Sequence, residues 1–211
     1  MNARTPRRSP AAGERLRDAE RTKARILDAA TAEFGAKGFA AARVSEIAER
    51  AGVNKQLISY YFGGKEGLYT ELTNRWQQAS SEMSQSDLPL DSVVAGFVMS
   101  TLYNRDWARL MVWSNLDAST GPPDQGTDPT FLRAQVEELR RRQESGELPA
   151  DLDPAYLLLA LFSAACAGVT LPKIARTICG EDPESPEFAE RYADQLARLV
   201  RHLTGTPSPT G

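Results

Sequence analysis

Cysteine and histidine are nearly absent from this sequence, and several kinds of chemistry go with them. Two cysteines, Cys166 and Cys179, in 211 residues cannot build a disulfide framework. Cys166 stands in an apolar run and is expected to be a buried, reduced thiol, which fits the cytoplasm. His202 is the only histidine and lies beside Arg201 near the end of the chain. The sequence has no Ser/His/Asp set, no ligand cluster at metal spacing and no phosphate-cradling glycine loop. No catalytic residue, metal or cofactor is therefore expected, and an enzyme is not favoured. Long apolar runs are missing too. The longest, residues 155–169, contains Ser163 and falls short of the roughly 20 residues a membrane span requires. It reads as a helix buried on several sides. The first residues are rich in Arg and Pro and lack the apolar segment of a signal peptide. Finally, no segment alternates apolar and polar residues between hairpin turns. What is left is an all-α fold, of about nine helices by the signals that follow.

Hydrophobic residues make up 41% of the chain and charged residues 25%, enough apolar material for a packed core and too much for wholesale disorder. The net charge of −3 hides an asymmetry. Residues 1–65 carry 13 Lys/Arg against 7 Asp/Glu, whereas residues 66–211 carry 12 against 21. A basic front end attracts phosphate while an acidic body is held off it; a solvated basic helix and tail would give the same count. Residues 1–16 contain Arg4, Arg7 and Arg8 with nothing to bury and read as a disordered basic arm; residues 205–211 read as a loose tail. Between them every signal is helical. Ile26, Leu27, Ala30 and Phe34 form one stripe of a helix over 17–37, which stops at Lys37-Gly38. Two short segments, 44–50 and 54–61, precede a longer helix over 65–83. Asp91 is placed to cap a helix with Val94, Val98 and Leu102 inward, and 105–116 is a short helix rich in bulky residues. Asp128-Pro129, Asp153-Pro154 and Ser185-Pro186 each pair a capping side chain with a proline at the first turn, starting three more helices.

Residues 44–61, VSEIAERAGVNKQLISYY, satisfy the demands of a helix-turn-helix. Two short helices crossing steeply need a small residue at the crossing and a tight turn. Ala48 is small, and Gly52 can take the positive φ of the turn. Ile47, Ala51, Val53 and Ile58 supply a buried seam, and Asn54 caps the second helix.

With these pieces in place, residues 24–72 resemble the DNA-binding domain of the TetR family. The resemblance rests on the helix ending in Phe34, the Lys37-Gly38-Phe39 turn, Ile47-Ala48 with Ala51-Gly52-Val53, the Tyr61-Phe62 end and the Lys65-Glu66 opening of helix four. It implies a DNA-binding transcriptional regulator, expected to be a repressor that small-molecule binding releases from a palindromic operator. It also implies a homodimer that sets one recognition helix in each major groove. The organisation would be a helix-turn-helix domain over 17–65 and a helical ligand-binding and dimerisation domain over 66–204. Three features depart from the family pattern. Ala42 and Arg43 stand where Thr or Ser usually caps helix two, Gln56 stands where the family commonly has a small residue, and Gly63-Gly64 precedes Lys65 in place of a polar cap.

The groove-facing candidates are the residues the seam does not need: Lys55, Gln56, Ser59 and Tyr60 on the recognition helix. Gln56 has the geometry for a bidentate contact to adenine. Arg43 stands in for the missing cap electrostatically, and Tyr61 offers a hydroxyl to phosphate or packs on Phe34 and Phe62. Leu57 either touches a thymine methyl or covers the seam. Lys65 opens helix four, where charge, amides and dipole favour a phosphate. In the larger domain, Trp76, Phe97, Tyr103, Trp107, Trp113, Phe131, Tyr156 and Phe162 are the candidates to line an apolar or aromatic effector pocket, with Arg105 and Arg109 able to orient an anion. The last two long helices, with Leu161, Tyr192, Leu196, Leu199, Val200 and Leu203, are the candidate dimer interface. The competing classes are a helical protein-binding adaptor and an enzyme without DNA binding; sequence-specific, salt-sensitive binding to duplex DNA separates the regulator from both.

Overall fold

The computed structural model describes residues 12–116 and 129–205. They form ten α-helices: α1 Ala12–Ala41, α2 Val44–Ala51, α3 Lys55–Phe62, α4 Lys65–Ser84, α5 Leu90–Tyr103, α6 Arg105–Leu116, α7 Pro129–Glu144, α8 Pro154–Thr170, α9 Pro172–Cys179 and α10 Pro186–Thr204. No strand occurs among the described residues, so the all-α class holds, with one helix more than the nine expected. Most of the expected arm, the loop before α7 and nearly all of the tail lie outside the described residues. The first helix begins at Ala12 rather than Arg17.

The capping chemistry lies where the sequence put it. The side chain of Asn54 accepts from the Gln56 amide at 2.9 Å, Asp153 from the Ala155 amide at 2.8 Å and Ser185 from the Phe188 amide at 3.1 Å. Each such cap is worth about 1 kcal/mol. The helical path of α1 breaks at Gly38, with φ 72° and ψ 168°, which is the glycine stop read from the sequence. Two expectations need correction. Asp91 does not cap α5. Pro89 holds that position, and Asp91 lies inside the first turn, where it pairs with Arg201 of α10 at 2.6 Å. The tenth helix, α9, was not expected. Pro172 opens it and Gly180, at φ 69°, closes it, the same punctuation that marks longer helices, but at only eight residues it shows no buried stripe.

Two apolar cores organise the chain. The first joins Ile26 and Phe34 of α1, Ile47 of α2, Ile58 of α3 and Leu68 and Leu72 of α4, and it takes in Leu110 from α6. This core therefore extends beyond Lys65 into the second half of the chain. The second core runs from Val94, Val98 and Leu102 of α5 through Leu139 of α7 and Val169 of α8 to Phe188, Leu196 and Val200 of α10. Helix α6 contributes to both, through Leu110 and Ala108, and crosses α1 closely. A methyl group at Gly35 would come within 2.7 Å of the Asp106 Cα, so the absent side chain lets the two backbones touch. No single helix among the described residues is long and apolar enough to cross a membrane.

Candidate functional site

The two short helices α2 and α3 are joined by the tight turn the sequence demands. Gly52 sits at φ 62° and closes α2, while the Val53 amide returns to the Ala48 carbonyl at 3.0 Å. Arg25 of α1 donates to the carbonyls of Ala51 and Gly52, which pins the turn against the first helix. At the other end of α2, the Lys37 ammonium bridges Glu33, at 2.8 Å, and Glu46. Its hydrogen bond holds the Glu46 carboxyl below the usual range. The helix-turn-helix is thus fixed to α1 at both ends by polar contacts as well as by its buried seam.

On α3, Ile58 is buried, and Lys55, Gln56, Ser59 and Tyr60 are exposed. Tyr60 is the extreme case at 80%. Leu57 and Tyr61 pack against the first core, and Tyr61 meets Tyr60 and Phe62 edge-on with ring centroids 5.1 and 6.4 Å away. Packing thus takes up much of both residues. Arg43 is exposed and extended ahead of α2, and its side chain makes no capping bond. Ser45, exposed in the first turn of α2, was overlooked in the sequence. Its hydroxyl stands two residues beyond the site of the missing cap, where amide N–H groups are unpaired by the helix.

Lys65 opens α4 and is partly buried. Its ammonium donates to the Ala40 carbonyl at 3.0 Å and lies 4.6 Å from the Phe39 ring centroid, and burial lowers its pKa. This contact holds the end of α1 against α4, and an ammonium carries three N–H donors, so it leaves the expected phosphate contact open.

The eight aromatic candidates for an effector pocket separate into groups. Trp76 of α4 meets Trp107 of α6 at 6.1 Å and Phe131 of α7 at 5.2 Å between ring centroids, so three of them converge between three helices. Phe97 packs into the second core. Trp113 is exposed and lines a separate open cleft of about 500 Å³ with Arg109 and Val169. Tyr103 is exposed at the end of α5, and Tyr156 and Phe162 lie on the outer face of α8. These three therefore do not share the Trp76 site. The run 155–169 was expected to be buried on several sides, yet Tyr156 and Leu159 are 75% and 63% exposed, because α8 turns only one face to the core. Arg105 and Arg109 are not free to orient an anion: Arg105 donates to the Pro183 carbonyl, and Arg109 pairs with Asp106 and Glu184.

The dimer candidates divide likewise. Leu196 and Val200 are buried in the chain's own second core, so neither can meet a partner. Tyr192 stacks on Phe188 at 5.5 Å and donates to the Ala164 carbonyl at 2.8 Å, which joins α10 to α8 within one chain. Leu161 is half-buried beside the same core. Leu199 and Leu203 remain exposed. Apolar periodicity identifies the buried stripe of a helix, and here that stripe faces inward. Cys166 is buried, and desolvation pushes its thiol up to about 11, as expected of an inert core cysteine.

Comparison with known proteins extends this geometry. Residues 26–72 match the family described as bacterial regulatory proteins, tetR family. Residues 90–201 match a tetracyclin repressor-like C-terminal domain. The chain is 31% identical over 190 residues to the HTH-type transcriptional repressor SCO4008 of Streptomyces coelicolor, covering 87% of this chain and 97% of that protein. It is 43% identical over 200 residues to the probable HTH-type transcriptional regulator YttP of Bacillus subtilis, covering 88% and 95%. Among solved structures, the transcriptional regulator SCO4942 of Streptomyces coelicolor superposes with a TM-score of 0.70 at 27% identity, over 88% of this chain and 99% of that one. These relatives are transcriptional regulators, not enzymes. A helix-turn-helix pinned to α1, continuous with a helical body matched along its own length, makes this chain a DNA-binding transcriptional regulator of the TetR family.

Proposed function

We propose that the protein acts in the cytoplasm as a homodimeric repressor, reading a near-palindromic operator through α3 and leaving it when a small apolar or aromatic molecule binds beside Trp76. The observation that carries the DNA contact is the surface of α3. Lys55, Gln56, Ser59 and Tyr60 are all exposed, while Ile58 anchors the helix from behind. Gln56 reads a base, Lys55 meets phosphate or guanine, Ser59 permits close approach and Tyr60 donates to phosphate. Arg43 and Ser45 add backbone contacts from α2. The test is selection of a duplex from a randomised pool, followed by a salt titration. Affinity should fall steeply with salt as Lys and Arg displace counterions. Lys55→Ala should lower the salt slope by roughly one. Gln56→Ala should relax preference at one base pair per half-site, by about 1–3 kcal/mol of discrimination. An unchanged preference in the Gln56 variant would remove α3 from the groove.

The surface assigned here to a partner copy is the outer face of α8 and α10. Tyr156, Leu159, Leu199 and Leu203 are exposed there on helices already joined by the Tyr192 hydrogen bond. Two such faces from two copies make a four-helix contact. Leu199→Arg should therefore give a folded monomer in sedimentation, because it sets an unpaired charge in the contact. Leu196→Arg should instead unfold the chain. A folded dimer in the Leu199 variant would move the interface elsewhere. Trp76 sits on α4, whose 20 residues span about 30 Å at 1.5 Å per residue and begin beside the reading head. A ligand against its far half would tilt it and change the spacing of the two recognition helices. By linkage, operator DNA must weaken that ligand by the same factor.

A further inference from the structure

The basic excess at the front of the chain lies ahead of the helix-turn-helix, not in it. Residues 1–25 hold eight Lys/Arg against three Asp/Glu. Residues 26–65, which contain all of α2 and α3, hold five against four. The reading head itself is therefore close to neutral. Its recognition helix brings one lysine to a partner that carries a negative charge about every 1.7 Å of duplex.

The structure sets part of this charge on a helical segment that packs against nothing. No described side chain of α1 ahead of Ile26 is buried, and Leu16 is 66% exposed. Residues 12–25 span about 20 Å at 1.5 Å per residue. Their direction follows from what α1 touches farther on. Lys23 lies 5.7 Å from the ring centroid of Tyr61, at the end of α3. Arg25 donates to the α2–α3 turn, and Gly35 meets α6 in the body. The segment ahead of Lys23 thus runs past the head on the side away from the body, starting beside the exposed Tyr60. Arg17, Arg21 and Arg25 recur every four residues and share one stripe of it. Arg17 and Arg21 are exposed. Acidic neighbours offset only part of the charge. Arg21 pairs with Asp18 and Lys23 with Glu20, each at 2.9 Å, and such surface pairs are weak and exchange readily. A helix of this length that buries nothing gains little from its own sequence, and an anionic surface along the stripe would stabilise it.

We infer that the front half of α1 grips the DNA backbone immediately outside each site read by α3. This rests on the α3 reading above and extends it outward: α3 selects the sequence, and the Arg17–Arg21 stripe holds the flanking phosphates. The contact is to phosphate, which any sequence supplies, and it carries much of the electrostatic part of binding. Charge complementarity selects the occupant, and the stripe is continuous with the exposed face of α3. At about 3.4 Å per base pair, the segment covers at most about six base pairs on each side.

Two duplexes test this with the full-length protein. One is the selected operator cut at the outermost base pair whose identity matters; the other adds about eight arbitrary base pairs to each end, more than the segment covers. The longer duplex should bind at least about tenfold more tightly in low salt, and scrambling the added sequence should change nothing. Arg17→Gln combined with Arg21→Gln should remove most of that advantage. It should also lower the salt slope on the long duplex by roughly two to four, since each dimer loses four charges. Its Tm and base preference should match the unaltered protein. Lys55→Ala should weaken both duplexes alike. Residues 12–25 should gain hydrogen-exchange protection on the long duplex and not on the short one. Equal affinity for the two duplexes, an advantage retained in the double variant, or dependence on the added sequence overturns the proposal. If any of these occurs while the short duplex is still bound with its base preference, the α1 contact alone falls. If the unaltered protein selects no sequence at all, the α3 reading falls and takes this proposal with it.

Discussion

Gly67→Ala should cost this protein both its stability and its hold on DNA. Gly67 lies in the first turn of α4, where alanine normally gains about 1 kcal/mol over glycine. Here the sign reverses. A methyl group at this position would overlap the Phe62 carbonyl oxygen and come within 2.8 Å of its carbon. Those are backbone atoms of the last residue of α3, so no side-chain rotation relieves the clash. Either α4 must swing away from the end of the recognition helix or α3 must shift in its seam. Overpacking of this kind costs about 1–3 kcal/mol or more, and for a chain of this length each kcal/mol moves Tm by roughly 2–4 °C. A fall of about 5–10 °C in Tm is expected, together with at least a hundredfold loss of operator affinity at a temperature where the variant is still folded. Calorimetry and a mobility-shift titration read the two effects. Gly96→Ala is the matched control, because the nearest atom to a methyl there is the Met83 sulfur, which can move. Equal operator affinity for the Gly67 variant and the unaltered protein would show that the α3–α4 junction does not set the reading geometry.

This contrast also shows what the sequence could and could not reveal. The helix-turn-helix was legible almost residue by residue, because its determinants are local. Asn54 caps its own helix, Gly52 takes its own turn and Ala48 is small wherever it stands. The starts of α8 and α10 were legible to the residue from Asp153-Pro154 and Ser185-Pro186 for the same reason. Beyond the Asp91 cap, the start of α1 and the short α9, the failures concern which side of a helix faces what. Leu196 and Leu199 are equally apolar and three residues apart, yet one is core and the other open surface. Only the packing of α5 and α8 against α10 decides between them. Tyr156 and Phe162 read as pocket residues because aromatics are often interior, and the structure turns them outward. Lys65 read as a free cation at a helix start, yet Ala40 and Phe39, some 25 residues earlier, also contact its ammonium. Gly67 escaped notice, since a glycine within a helix signals close approach only once the approaching backbone is known.

Arg142 is the other residue whose loss should be severe, and it belongs to the same class of long-range fact. Among Arg140, Arg141 and Arg142, which the sequence presents as one basic helix end, Arg142 alone is buried, at 4% exposure. Its guanidinium pairs with Glu138 at 3.0 Å and Glu147 at 2.9 Å and donates to the Leu88 carbonyl at 3.1 Å. Glu147 in turn accepts from the Leu90 amide at 2.8 Å. One side chain thus ties the end of α7 to the α4–α5 connection. Removing one partner of a buried network strands the others, at a cost of about 3–5 kcal/mol. Arg142→Met, which keeps the volume and loses the charge, should accordingly lower Tm by roughly 6–20 °C while leaving the α2–α3 head intact. The pH dependence gives the mechanism. Hydrogen bonding to Arg141, with a smaller contribution from Arg142, holds the Glu138 carboxyl below its ordinary 4.5. The stability it contributes is therefore complete above that value and disappears as pH falls through the lowered one. In the variant Glu138 keeps its first partner and loses the buried one, so the deficit should be largest near neutral pH. It should narrow as acid protonates the stranded carboxylate. Melting curves of the two proteins from pH 7 to pH 2.5 test this directly. A difference that stays constant across that range would mean that the lost packing of the side chain, rather than its charge, accounts for the effect.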